Sequence, residues 1–148
     1  MADSVRFGIG EEYLEFRDRV QDTRGLVYGF VVRYVALGIT CDRFLDLIDE
    51  PPWDAADLAR FFERLAESWR GWEGELCWTN FYKEFEFRAE TDRVGHVLIT
   101  ARMLDRRWRL EGSVNLEAGM LERLAAEVRV FLLAPPPDDQ DQEAGQSL

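Results

Sequence analysis

His96 is the only histidine in a chain of 148 residues, so a Ser–His–Asp or Cys–His relay would have to use it as base. Asp92, four positions earlier, would be its orienting carboxylate. The neighbouring residues favour a plainer role, because Asp92 and Gly95 are turn formers and His96 opens a strand. An aspartate placed there bonds nearby backbone, and the imidazole is held locally. No Ser or Cys falls in a nucleophile-elbow pattern. Cys41 and Cys77 are far apart, with neither CxxC spacing nor a row of ligands, so zinc is not expected and both thiols read as buried and free. Glu73 and Glu75 alternate around Gly74 in GWEGE. On extended backbone they would share a face, where paired acids can hold a cation or exchange protons; solvated acids at a strand edge are the commoner explanation. The segment FGIGEEY has two glycines but no lysine and no following helix, so it is not a phosphate loop. No catalytic residue, metal site or cofactor is assigned, and a binding protein is expected before an enzyme.

Aromatic side chains are the remaining chemistry. Trp53, Trp69, Trp72, Trp78 and Trp108, with nearby Phe81 and Tyr82, could line a small-molecule pocket or anchor a protein interface. Trp69 continues a helical stripe and Trp108 a strand face, which assigns both to the core. Trp72 and Trp78 flank the glycine-interrupted segment and are the pair expected outside. Glu84, Glu86 and Arg88 share the outward face of a strand whose inward face carries Phe85, Phe87 and Ala89.

These residues need a frame, and the hydrophobic pattern supplies one. Val5, Phe7 and Ile9 alternate, Tyr13 to Val20 forms a second run, and Leu26 to Leu37 a third, with turns at Gly8 to Glu12 and Asp22 to Gly25. Gly38 divides the next run from Ile39 to Ile48, a further strand. Pro51 and Pro52 stop it and leave Asp54 to cap a helix. From Asp54 to about Arg70, Leu58, Phe61, Phe62, Leu65 and Trp69 recur every three or four residues, one buried stripe that ends at Gly71. Trp72 to Asn80 begins new strands. Phe81 to Glu90, His96 to Leu104 with Val97, Ile99 and Ala101 on one face, and Trp108 to Val114 then form a meander. A closing helix starts near Glu117 or Gly119 and aligns Met120, Leu121, Leu124, Val128, Phe131 and Leu132. The fold class read from this order is α+β, a mainly antiparallel sheet of about six to eight strands packed by two helices.

A chain of this length supports one core, and 47% hydrophobic residues with 13% aromatic are enough to build it without disulfides or a structural metal. The single domain is placed at 1–133. Residues 134–148, APPPDDQDQEAGQSL, combine prolines with Asp138, Asp139, Asp141 and Glu143 and read as a disordered acidic tail. The formal charge is −11, and the body stays acidic without the tail. That sign repels phosphate backbones and attracts a cationic protein, although it also serves plain solubility. Lys83 is the single lysine among 18 basic residues, a bias from which no mechanism follows. The start MADSVRFGIG lacks a signal-peptide pattern, and no apolar run is long enough to span a bilayer, so a cytoplasmic protein without a membrane role is expected.

The stretches GWEGELCW (Gly71 to Trp78), DRVGHV (Asp92 to Val97) and LEAGMLERLA (Leu116 to Ala125), with Trp108, resemble an uncharacterised bacterial family classed as a domain of unknown function. The resemblance covers about the C-terminal half. That family is in turn similar to the small immunity proteins of polymorphic toxin systems, of the kind guarding against wall-associated toxins. The resemblance implies a protein that neutralises a toxin by binding it, without cofactor or turnover. The leading expectation is therefore an acidic, immunity-like binding module using Glu84, Glu86 and Arg88 with Trp72 or Trp78 against a basic partner. The rival expectation is a small-ligand carrier or modest enzyme with an aromatic-lined pocket between sheet and helices. A homodimer through a sheet edge or helix face is the third.

Overall fold

Period-two alternation builds the first sheet in the computed structural model, which describes residues 3–48, 54–92 and 94–133. Strands β1 (Val5–Phe7), β2 (Tyr13–Gln21), β3 (Val27–Ala36) and β4 (Ile39–Asp46) pair antiparallel in chain order. The Asp22 carboxylate closes the β2–β3 turn by accepting the N–H of Arg24 and of Leu26. Leu37 and Gly38 close the β3–β4 hairpin as a two-residue loop with both φ angles positive, 50° and 78°. Between Arg17 and Val20 the register shifts, with Asp18 at φ 52°.

Helix α1 (Asp54–Glu67) separates this sheet from a second meander of four strands: β5 (Leu76–Thr79), β6 (Phe85–Thr91), β7 (His96–Leu104) and β8 (Arg109–Glu117). A 3-10 turn, Ala118–Met120, leads into helix α2 (Leu121–Leu133). The fold is α+β, and its eight strands divide into two four-stranded antiparallel sheets. Their flanking strands β4 and β5 do not pair with each other.

One core joins both sheets and both helices. Phe16 of β2 is its hub, with ring centroids of Phe7, Phe30, Phe62, Phe87 and Phe131 between 4.8 and 6.4 Å away. Those partners come from both sheets and both helices, mostly in edge-on or tilted geometries that aromatic rings prefer. The buried stripe of α1 includes Leu58, Phe61, Phe62 and Leu65, and that of α2 Leu121, Leu124, Val128, Phe131 and Leu132.

Several sequence expectations are corrected at element ends. Trp69 lies beyond the last turn of α1 and is exposed, beside the Arg70 guanidinium at 5.1 Å. Trp108 precedes β8 and is likewise exposed, because the turn from Asp105 carries it off the buried face before strand pairing begins. Met120 sits in the 3-10 turn rather than on the α2 stripe and is partly exposed. Cys77 is exposed on β5, an edge strand, and is free, as is the half-buried Cys41. The expected tail at 134–148, and Pro51, Pro52 and Trp53, lie outside the described residues.

Candidate functional site

Two buried polar side chains hold the turn between β5 and β6. Asn80 is almost fully buried; its Oδ1 accepts the backbone N–H of Glu84 at 3.0 Å and of Phe85 at 3.2 Å, and its Nδ2 donates to the Asp46 carbonyl at 3.0 Å. Asp54 is equally buried. Its Oδ2 accepts the N–H of Ile48 at 3.0 Å and of Phe81 at 3.1 Å. The residue expected as a helix cap thus ties three segments together, the end of β4, the start of α1 and the turn. Buried polar groups satisfied in this way fix one backbone arrangement, since each bond lost would leave an unpaired group inside.

Held on that turn, Phe81 is 56% exposed and Tyr82 53%, their rings packed edge-on at 5.6 Å. Lys83 completes the turn at φ 58°, its N–H donating to the Asn80 carbonyl at 3.0 Å. Glu84, the next residue, lies 3.7 Å from the Arg43 guanidinium of β4. Arg43 also covers the exposed Trp108 ring at 5.3 Å and donates to the Leu104 carbonyl. The turn that carries two exposed aromatics is therefore followed directly by a residue whose ion pair leads, through Arg43, to a third.

The expected tryptophans are elsewhere. Trp78 is only 7% exposed and stacks on Phe87, its register partner on β6, at 5.9 Å. The reason is parity: β5 alternates so that Trp78 faces inward and Cys77 outward. Trp72 is half-buried, and its Nε1 donates to the Ala89 carbonyl at 3.1 Å. Glu73 and Glu75 do not share an extended face, because Glu73 and Gly74 form a bend with Gly74 at φ 71°. Glu75 instead meets Glu90 of β6, and the hydrogen bond between the two carboxyls pushes the Glu90 carboxyl above its ordinary range.

Glu86 and Arg88 pair directly on the outward face of β6, and Arg88 also lies 3.9 Å from Glu75. Glu84, Glu86 and Arg88 therefore stand on the face read for them, with Glu75 and Glu90 added to it. Arg102 of β7 sits in register between Glu86 and Glu111, with its Nε buried and unpartnered.

Asp92 and His96 close the β6–β7 turn, at the opposite end of β6 from the aromatics. Asp92 Oδ1 accepts the N–H of Val94 and of His96, and its Oδ2 lies 2.6 Å from His96 Nδ1. The bond from the Val94 N–H, with the contacts to His96, lowers the Asp92 carboxyl below its usual range. Among the described residues no group of three or more His, Cys, Asp or Glu is placed to hold a metal ion. None of their helices is long and apolar enough to cross a membrane.

Phe16, Phe30, Phe62, Phe87 and Phe131 pack on one another in the core. One cleft of about 400 Å³ lies between Arg6, Phe7, Met120 and Arg123, with Phe7, which packs on Phe16 and Phe62, in its wall, and one of about 220 Å³ lies between Leu26, Ile48, Ala55 and Leu132. Sequence reading missed Asp54 and Asn80 as the pins of the turn and Arg43 as its neighbour. The one local signal was NFYK set between two alternating strands.

The chain matches the model of a family of unknown function, DUF6228, over residues 8–135, and it belongs to that family. The match extends well beyond the C-terminal half that carried the resemblance and indicates no enzymatic family. No curated protein and no solved structure matches the chain.

Proposed function

We propose that this member of DUF6228 is an acidic protein-binding module that acts by occupying a partner, in the manner of an immunity protein that silences a toxin, in the cytoplasm and without turnover. The observation that carries the reading is the Phe81–Tyr82 turn. Two large rings are left in water on a backbone that Asp54 and Asn80 hold rigid. An aromatic pair ordered before binding loses little entropy on contact, which is what makes such residues interface anchors. Glu84 beside it, and Glu86, Glu75 and Glu90 further along the face, suit a basic partner, as does the formal charge of −11.

Affinity purification of the tagged full-length protein from its source cells tests this, with Phe81→Ser/Tyr82→Ser and Glu84→Lys/Glu86→Lys variants in parallel. The reading expects a stoichiometric basic protein bound by the wild type and lost from the aromatic variant, with slower association at low salt for the charge variant. A partner held equally by all three proteins removes this face from the assignment. If the partner is a toxin, its growth inhibition is relieved by co-expression of the wild type and not of the aromatic variant.

The second reading, a small-ligand carrier, has one feature in its favour: the 220 Å³ cleft is walled almost wholly by aliphatic side chains.

A further inference from the structure

Leu37, at the tip of the β3–β4 hairpin, is 91% exposed and stands at φ 50°. A two-residue hairpin with both φ positive favours Asn–Gly, because asparagine tolerates the left-handed region and glycine is indifferent to it. Gly38 meets that demand and Leu37 does not. Neither burial nor backbone preference accounts for a leucine here. Ile39 and Ile9 flank it and are 62% and 46% exposed. Ile9, Val35 and Leu37 line an open hollow of about 480 Å³, whose remaining wall includes Glu11 and Glu12.

We propose that this tip is a second docking surface, an apolar knob that enters an apolar socket on a cationic protein. Charge selects the occupant. Glu11 and Glu12 border the hollow, so a second copy docking tip to tip would set like charges against each other. Residues 134–148 bring Asp138, Asp139, Asp141 and Glu143 and almost no large apolar side chain, which suits them equally poorly. A basic surface with an apolar socket satisfies both the aliphatic cluster and the acids. The tip stands at one end of β4 and the Asn80 bond to Asp46 at the other, 8 residues of strand or roughly 25 Å apart. It is thus separate from the aromatic turn and does not depend on that turn's assignment.

The test is selection of a phage-displayed library of short random peptides on immobilised full-length protein. Recovered peptides are then titrated against the wild type, Leu37→Asn and Phe81→Ser/Tyr82→Ser. Leu37→Asn keeps the turn geometry and removes the knob, so circular dichroism and melting report a folded protein. The expected peptides combine Lys or Arg with large apolar residues, bind Leu37→Asn at least about tenfold more weakly than wild type, and bind the aromatic variant as they bind wild type. Peptides that lack basic residues, or that fail to distinguish Leu37→Asn from wild type, overturn the proposal. So does a selection that recovers no discriminating peptide. Peptides lost only on the aromatic variant overturn it while leaving the aromatic turn standing. Sedimentation velocity supplies the remaining outcome: a wild type that self-associates and a monomeric Leu37→Asn would give the tip to a second copy, against the proposal.

Discussion

The ring of Tyr34 occupies the space that a side chain at Gly112 would take, since a Cβ built on Gly112 falls 2.5 Å from the ring. The Tyr34 hydroxyl also donates to the Ser113 carbonyl at 3.3 Å. This contact joins β3 of the first sheet to β8, an edge strand of the second. Gly112→Ala is expected to destabilise the protein by about 1–3 kcal/mol through overpacking, measured by urea unfolding. Tyr34→Phe removes only the hydroxyl bond, and a loss of about 1 kcal/mol is expected. In the double variant Gly112→Ala/Tyr34→Leu the alanine has room, so its loss of stability is expected to be less than the sum of the losses of Gly112→Ala and Tyr34→Leu measured singly. Simple additivity would show that the two residues do not compete for one space.

Asp54 and Asn80 give a second stability test. Asn80→Ala strands the Glu84 and Phe85 amides and the Asp46 carbonyl, and Asp54→Ala strands those of Ile48 and Phe81. Each is expected to lower stability by about 2–4 kcal/mol, as buried groups left unpaired do. Hydrogen exchange of the Phe81 and Phe85 amides should accelerate in the variant that removes each amide's acceptor. An unchanged exchange rate would mean that the turn is held by something else.

Two acids predict opposite responses to pH. Glu90, next to Glu75, has a folded-state pKa above its ordinary 4.5, so its charge opposes folding once pH rises through and beyond that range. Glu90→Gln should therefore raise the melting temperature at neutral pH, with the gain fading in acid below about pH 4. Asp42 is held low by the Arg33 guanidinium at 2.7 Å, so its contribution is present above its ordinary 3.8 and lost as pH falls through the depressed value. Asp42→Asn should lower the melting temperature slightly at neutral pH, a modest effect because the pair is largely solvated. Melting curves from pH 3 to 8 check both signs.

Leu37→Asn should stabilise the free protein. Leucine in the left-handed region costs about 1 kcal/mol more than a tolerant residue, and Leu37 has no buried contact to lose. A rise in melting temperature of about 2–4 °C is expected for a domain of this size. A fall would mean that the leucine packs in the free protein after all.

Alternation along the chain was enough to identify β7, from His96 to Leu104, with Val97, Ile99 and Ala101 inward, and the two faces of β6. Three- and four-residue spacing was enough for the stripe of α1, and the Asp92–Gly95 turn was legible from its residue types. These are local matters, decided by side-chain direction within one element. The outward face of Glu84, Glu86 and Arg88 was legible for that reason, and which of the tryptophans stay exposed was not. Trp78 went inward because the start of β5 set its parity, while Trp69 and Trp108 came out because each element ended before reaching them. The division into two sheets, the bonds from Asp54 to Phe81 and from Asn80 to Asp46, and the fit of Tyr34 over Gly112 all join residues far apart in the chain. Periodicity assigns a residue to a face; only the packing of distant segments determines whether that face is covered, and so which side chains remain free to meet a partner.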